Sequence, residues 1–176
     1  MNKLKKNDHS IDFSQEDYLG NKVHLKDYKG KKILLSFFRG ASCPFCNLRI
    51  NQLINNYDEF QKNQIEIITF FSASKEEIFQ YAGKQKAPFP IIPDPNLEIY
   101  KKYAVEQSSM GMIKVILKPL KMIKVMTSGF FNMRSMNDKP IIPADFLIDG
   151  KQIIYKAYYG KDFGDHLQID EILKWK

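Results

Sequence analysis

The sequence predicts an α/β protein in which a central sheet lies between layers of helices. Two nearly continuous apolar runs, Ile33–Phe38 and Ile65–Phe71, have the pattern of central strands that are buried on both faces. A helical pattern of apolar residues follows each run, from Pro44 to Phe60 and from Ser74 onwards. Strands that alternate with helices favour a layered fold, so these segments indicate the fold class.

The size and composition fit a single domain over residues 1–176, with residues 1–11 as a flexible polar arm. The chain is 44% hydrophobic and 27% charged, and its net charge is +7. This charge permits an anionic partner without establishing one, and we expect no nucleic-acid partner. No run of 18 uncharged apolar residues occurs and no apolar stretch follows the N-terminal lysines. We therefore expect neither a membrane-spanning helix nor a signal peptide, and a cytoplasmic location.

Turn and capping signals predict the remaining elements. A short hairpin is expected over Asp12–Lys32. Ser74 and Glu77 have the spacing of a capping box, so a helix begins at Ser74. Further along, we expect an extended piece at Phe89–Ile92, a helix over Asn96–Tyr103, strands at Asp145–Asp149 and Gln152–Tyr158 around an Asp149-Gly150 turn, and a closing helix over Asp165–Trp175.

The stretch from Glu106 to Lys139 fits this alternation poorly. It is too long for a structureless loop in a compact domain, so we interpret residues 106–139 as an inserted helical segment before the Pro143 strand. Four lysines at helical spacing would line one of its faces: Lys114, Lys118, Lys121 and Lys124. We favour a solvated face over contact with a membrane surface of anionic lipid or with an acidic protein.

The feature that indicates chemistry is Cys43-Pro-Phe-Cys46. It begins a helix directly after a buried strand, where unpaired backbone N–H groups and the helix dipole favour negative charge. Both effects lower the pKa of a thiol, and the thiolate is its nucleophilic form. Cys43 is therefore the candidate nucleophile, and Cys46, one helical turn later, is the candidate resolving thiol.

Three other interpretations of the cysteine pair compete with redox chemistry. A zinc site needs two more ligands, and the three histidines offer no second ligand-spaced pair. A structural disulfide across so short a loop constrains the unfolded chain little. Inert buried thiols need no strand-to-helix setting. Redox chemistry is favoured because spacing and context agree, and it requires neither a metal nor a cofactor.

Three residues outside the cysteine pair bear on the site. Arg39, at the end of the strand, is either a cation that stabilises the thiolate or a solvated strand-end charge, and the sequence leaves both open. His166 is expected at the surface near the start of the last helix. Pro143 precedes a strand, and a cis peptide bond there would place backbone beside the cysteines, but sequence pattern alone does not predict one.

Four segments of the chain carry a family resemblance: Tyr18–Lys32, Phe37–Leu48, Phe89–Asp94 and Pro143–Asp149. They are similar to the peroxiredoxin-like branch of the alkyl hydroperoxide reductase/thiol-specific antioxidant family, within the thioredoxin-fold superfamily. The resemblance covers about Asp12 to Lys176 and implies a thioredoxin-like fold with a central mixed sheet flanked by helices. It also implies that Cys43 attacks, that Cys46 resolves, and that Pro143 is a cis-proline facing them.

Departures from the family pattern leave the substrate open. Typical peroxiredoxins place Pro and Thr seven and three residues before the attacking cysteine. Relative to Cys43 these positions hold Ser36 and Gly40, and relative to Cys46 they hold Arg39 and Cys43, so neither register matches. Thioredoxins place Trp where this chain has Ser42. We expect a thiol-dependent oxidoreductase with antioxidant activity that reduces hydroperoxides through the Cys43/Cys46 pair. A protein thiol–disulfide oxidoreductase is the alternative, and a non-enzymatic redox-responsive binding module is the second alternative.

The expected partners follow from this chemistry. The substrate is a hydroperoxide or a disulfide, and an external dithiol reductant such as a thioredoxin-like protein restores the thiols. The sequence determines neither the physiological reductant nor the oligomeric state.

Overall fold

The computed structural model describes residues 2–108, 123, 127, 129–130, 135 and 138–175. Most of the expected insert over residues 106–139, including its four-lysine face, lies outside the described residues. Within them the predicted fold class is confirmed, because a five-stranded mixed sheet packs between helices. None of the helices in this described part is long and apolar enough to cross a membrane.

Strands and helices alternate through the first half of the chain, and two more strands and a helix complete the second. The strands are β1 (Ser14–Glu16), β2 (Lys22–His24), β3 (Lys32–Phe38), β4 (Ile65–Phe71), β5 (Ile91–Pro93), β6 (Ala144–Ile148) and β7 (Ile154–Tyr159). The helices are α1 (Pro44–Asn55), α2 (Tyr57–Lys62), α3 (Lys75–Gln80), α4 (Glu98–Lys102) and α5 (Ile169–Leu173), with single 3₁₀ turns at Leu25–Tyr28 and Ala82–Gln85.

The sheet has the order β5-β4-β3-β6-β7, and β1 and β2 form a separate hairpin. Strand β3 is central: it pairs with β4 in parallel and with β6 antiparallel. The carboxyl ends of β3 and β4 therefore lie side by side, next to the start of β6, where Phe37 faces Ala144. The loop that carries the cysteines leaves the sheet at this edge.

Alternation along β3 divides the apolar core between the two faces of the sheet. Leu34 and Phe38 pack on one face with the buried side of α1, whereas Leu35 and Phe37 pack on the other face with residues of α4. Both faces of β3 are buried, as its continuous apolar run predicts. The two cysteines belong to the cluster on the α1 face.

Several boundaries differ from the sequence prediction. The single helix expected from Pro44 to Phe60 is two helices, because the backbone leaves helical geometry at Asn56, with φ −108° and ψ 10°. The closing helix covers only Ile169–Leu173. The capping box is confirmed, since the Ser74 hydroxyl accepts from the Glu77 N–H and the Glu77 carboxylate accepts from the Ser74 N–H.

The N-terminal arm and Pro143 also depart from expectation. Residues 1–11 were expected to be flexible, but Asn7 and Ser10 donate backbone hydrogen bonds to the carbonyls of Ile154 and Gln152. No peptide bond among the described residues is cis, so the predicted cis bond before Pro143 is wrong. Ile142 bonds to the Glu106 carbonyl on one side and the Pro143 carbonyl accepts from Gly160 on the other, so extended pairing accommodates the favoured trans isomer.

Candidate functional site

The loop between β3 and α1 holds Cys43 at the first turn of the helix. Cys43 is the residue that caps α1, with extended backbone angles, and its N–H donates to the Gly40 carbonyl at 3.2 Å. The buried Asn47 side chain donates to the carbonyls of Ala41 and Cys43 at 2.7 and 3.0 Å. Because both ends of this turn are hydrogen-bonded, the position of the Cys43 sulfur is set by local structure. The sequence analysis did not single out Asn47.

The two cysteines are buried free thiols with opposite pKa shifts. Their exposed fractions are 0% for Cys43 and 1% for Cys46. Hydrogen bonding from the Cys46 thiol and the charge of Arg39 outweigh burial and lower the pKa of Cys43 to about 7. Burial and the neighbouring Cys43 raise the pKa of Cys46 well above that of an ordinary thiol. As pH rises through about 7, the pair therefore gains one negative charge, which lies on Cys43 while Cys46 stays protonated.

Arg39 is a buried cation at the end of β3. Only 4% of it is exposed, which excludes the interpretation of a solvated strand-end charge. Its Nε and Nη2 donate to the backbone carbonyls of Lys139 and Asp138, both at 3.0 Å, and its guanidinium lies 4.5 Å from the centre of the Phe163 ring. Among the residues that the structure describes, Arg39 forms no ion pair with a carboxylate. The thiolate of Cys43 is the anion that its charge favours.

Asp138 contacts the same loop with its side chain. Its two carboxylate oxygens accept from the Ser42 hydroxyl at 3.1 and 3.0 Å. A Cβ atom built on Gly40 would overlap the Asp138 carboxyl group, so the absence of a side chain at Gly40 makes room for it. Sequence reasoning missed Asp138, because it lies almost 100 residues from Gly40 and within no recognisable motif.

A second buried polar cluster lies beneath α1, around Asp145. This carboxylate, with no exposed surface, accepts from the Ser36 hydroxyl at 2.7 Å, from the Leu167 N–H at 2.7 Å and from His166 Nδ1 at 2.9 Å. Burial raises the pKa of Asp145, but His166, Arg49 and Ser36 together lower it below its usual value. The expectation that His166 lies at the surface is wrong, because it is only 5% exposed and packs against Phe38. His166 can be buried because its Nδ1 is hydrogen-bonded to the Asp145 carboxylate.

A groove opens at the surface beside the cysteine loop. Its volume is about 400 Å³, and its lining includes Ser42, Asn47, Tyr81, Lys84 and Phe130. Ser42 and Asn47 lie on either side of the cysteine pair in sequence, and neither thiol belongs to the lining.

Comparison with known families agrees with this arrangement of strand, loop and cysteine-bearing helix. The model of the AhpC/TSA family matches residues 7–157. The chain belongs to this family. The match spans β1 to most of β7 and includes both cysteines, Arg39 and Asp138, so the resemblance drawn from the four sequence segments is confirmed.

Individual relatives include peroxidases and a disulfide oxidoreductase. Peroxiredoxin Bcp of Escherichia coli is 29% identical over 113 residues, which is 63% of this chain and 72% of the relative. The thiol-disulfide oxidoreductase ResA of Halalkalibacterium halodurans is 26% identical over 121 residues, covering 68% of this chain and 67% of the relative. As a member of the AhpC/TSA family, the chain is an enzyme of the thiol peroxidase or thiol–disulfide oxidoreductase type.

Solved structures with low sequence identity share the fold. Peroxidoxin BcpB from Mycobacterium tuberculosis matches with a TM-score of 0.71 at 15% identity, covering 97% of this chain and 94% of that chain. A cysteine variant of PrxQ from Xylella fastidiosa matches with a TM-score of 0.69 at 15% identity, covering 98% and 95%. The thioredoxin-like fold is therefore confirmed, with its central mixed sheet flanked by helices.

Proposed function

We propose that the protein reduces hydroperoxides, with Cys43 as the attacking thiolate and Cys46 as the resolving thiol. The observation that carries this proposal is the buried Arg39 cation beside Cys43, which has no carboxylate partner among the described residues. A buried charge is costly unless an opposite charge lies nearby. A thiolate at Cys43 supplies that charge, and it is the form of cysteine that attacks peroxides.

The proposed reaction has two steps, which end with a Cys43–Cys46 disulfide. The Cys43 thiolate attacks the terminal peroxide oxygen, the O–O bond breaks, and the leaving alkoxide takes a proton from solvent, giving an alcohol and a sulfenic acid on Cys43. Cys46 then attacks the Cys43 sulfur, and its proton leaves with the displaced hydroxide as water. The two electrons that reduce the peroxide come from the two thiols, which end as a disulfide.

A dithiol partner is required to complete the cycle. One of its thiolates attacks the Cys43–Cys46 disulfide, its second thiol resolves the mixed disulfide, and both cysteines of this chain return to the reduced form. We propose a thioredoxin-like protein for this role and a cytoplasmic location, where thiols are kept reduced. We also take residues 1–176 as one catalytic domain.

The proposal is tested by trapping the product at each cysteine. Reduced protein is treated with one equivalent of hydrogen peroxide, and the intact mass is followed with a sulfenic-acid reagent present. We expect an internal disulfide in the wild type, a trapped sulfenic acid on Cys43 in Cys46→Ser, and no oxidation in Cys43→Ser. The Cys46→Ser variant keeps a hydroxyl that can donate to Cys43, so it removes the resolving thiol without removing the hydrogen bond that favours the Cys43 thiolate. Oxidation that persists in Cys43→Ser would reverse the assignment of roles.

Thiol–disulfide exchange is the second candidate function. Two observations favour it: the similarity to ResA, and Gly40, which has no hydroxyl to offer a peroxide at the position where peroxiredoxins carry Thr. The same thiols would then attack a protein disulfide instead of a peroxide. Insulin reduction with a dithiol donor, compared with peroxide consumption under the same conditions, separates the two functions. Faster turnover of insulin would favour this second function.

A further inference from the structure

We infer that Asp138 is a positioning residue that keeps Arg39 and the Cys43 loop at a fixed separation. The inference rests on the proposed function, because the roles of Arg39 and Cys43 are assigned there. In the part of the chain that the structure describes, Asp138 forms no hydrogen bond with either cysteine, so its geometric effect on the thiolate passes through Arg39, Gly40 and Ser42.

The backbone of Asp138 fixes the guanidinium of Arg39. The carbonyls of Asp138 and Lys139 accept from two different nitrogens of Arg39, both at 3.0 Å, and together they define the plane of the guanidinium. The Phe163 ring lies 4.5 Å away and limits its movement in the perpendicular direction. These three contacts determine where the charge of Arg39 lies relative to Cys43.

The side chain of Asp138 holds the loop that leads from Arg39 to Cys43. Its carboxylate accepts from Ser42, the residue directly before Cys43, and it fills the space above Gly40. A single residue thus contacts positions 39, 40 and 42 of the loop. Any displacement of Asp138 changes the separation of Arg39 from Cys43.

The segment that carries Asp138 is itself anchored to the rest of the domain. The Lys139 ammonium donates to the Pro95 carbonyl, and the Ser108 N–H donates to the Pro140 carbonyl at 2.7 Å. Glu106 and Ile142 are also joined by a backbone hydrogen bond at 3.0 Å. The segment can therefore act as a fixed support for the cysteine loop.

The charge of Asp138 opposes its geometric effect, and this opposition makes the inference testable. A nearby carboxylate disfavours a thiolate, so removal of the charge alone lowers the pKa of Cys43. Loss of the carboxyl instead frees the loop at Gly40 and Ser42, so Cys43 moves away from Arg39 and its pKa rises. The two roles therefore predict shifts of opposite sign in Asp138→Ala.

The test is a titration of the Cys43 thiolate by its absorbance at 240 nm, with Cys43→Ser as the blank. We expect Asp138→Ala to raise the midpoint by about one pH unit toward the ordinary thiol value. Asp138→Asn keeps the volume and an acceptor for Ser42, so its midpoint stays in place or falls. A fall in both variants, or no change in Asp138→Ala, would overturn the inference. The titration needs no peroxide, so it gives the same answer whether or not hydroperoxide is the substrate.

Gly40→Ala provides an independent test, because it changes the other partner in the contact between Gly40 and the Asp138 carboxyl. Its new methyl group displaces the Asp138 carboxyl, so we expect the midpoint to rise as in Asp138→Ala. In the double variant the carboxyl is already absent, so Gly40→Ala should add no further shift. Additive shifts would contradict the inference. A purely structural role for Asp138 predicts a lower Tm with an unchanged midpoint, and thermal unfolding of each variant separates the two.

Discussion

Arg39 and Arg49 are both buried, with 4% and 6% of their surfaces exposed, but their charges are compensated differently. Arg49 lies on the buried face of α1, where it donates to the Leu167 carbonyl at 2.7 Å and is attracted by the Asp145 carboxylate. Arg39 lies beside Cys43 and is held by two backbone carbonyls and an aromatic ring. One arginine therefore has a permanent counter-charge, and the other depends on a thiol that gains and loses its charge.

The difference separates the structural part of this protein from the reactive part. A carboxylate with lowered pKa stays ionised over the physiological range, so the Asp145 cluster contributes a constant electrostatic attraction. The Cys43 thiolate loses its charge when it is protonated or when its sulfur is oxidised. In the proposed reaction the environment of Arg39 therefore changes within each cycle, whereas that of Arg49 does not. Four predictions follow this contrast, from the largest effect to the smallest.

Asp145→Ala is expected to produce the largest loss of stability. It leaves His166 and Arg49 buried without their carboxylate, and removal of one partner from such a buried group costs about 3–5 kcal/mol. Urea unfolding followed by the fluorescence of Trp175, the single tryptophan, measures the loss. The Cys43 thiolate should titrate unchanged in the folded variant. A shift in that titration would show that the two regions are coupled.

The pH dependence of the free energy of unfolding should reveal the ionisation of Cys43 in the folded state. Its pKa of about 7 in the folded state is below the ordinary thiol value near 8.5, so the thiolate stabilises the folded state. This stabilisation is fully present above pH 8.5 and is lost as pH falls through 7. Between pH 6 and 8.5 the reduced wild type should gain about 1.6 kcal/mol in its free energy of unfolding relative to Cys43→Ser. Parallel curves for the two proteins would contradict a lowered pKa of Cys43 in the folded state.

Arg39→Met should slow the reaction of Cys43 with hydrogen peroxide. The hydrogen bond from Cys46 remains in this variant, so the pKa of Cys43 rises only part of the way toward the ordinary value near 8.5. A full return would lower the ionised fraction at pH 7 by about 15-fold, so we expect the rate to fall by less than this factor. Arg49→Met is the matched control, since it removes a buried arginine from the other cluster. That variant should lose stability and keep the wild-type rate. Equal rate losses in the two variants would remove the distinction between the arginines.

Ser36→Ala should have the smallest effect. It removes one hydrogen bond to Asp145, while the bonds from His166 and Leu167 remain, so we expect a loss of about 1–2 kcal/mol in the free energy of unfolding. The peroxide rate should not change. A measurable change in rate would mean that the Asp145 cluster contributes to the reaction and not only to stability.

The sequence predicted the sheet and the cysteine pair because local patterns determine them. The apolar runs of β3 and β4, and the Ser74 capping box, depend on neighbouring residues and appear as expected. The position of Cys43 at the first turn of α1 follows from the strand that precedes it and from Pro44. Such features do not require knowledge of distant contacts.

Features set by distant contacts could not be predicted in the same way. His166 lies near the start of a helix in sequence, and only the fold brings it under α1 to Asp145. Asp138 meets Gly40 and Ser42 across almost 100 residues, and its backbone carbonyl accepts from Arg39 across a similar separation in sequence. The isomer at Pro143 was predicted from the family resemblance, but in this chain extended pairing on both sides accommodates a trans bond.

The most direct test of the account is the rate at which hydrogen peroxide oxidises Cys43 between pH 5 and 9. Stopped-flow mixing of the reduced protein with peroxide gives the rate constant, with Cys43→Ser as the blank and a free thiol as the reference. We expect a rate well above that of the free thiol, which rises with pH to a plateau with its midpoint near 7. A rate that equals the free thiol at every pH would contradict a thiolate activated by Arg39.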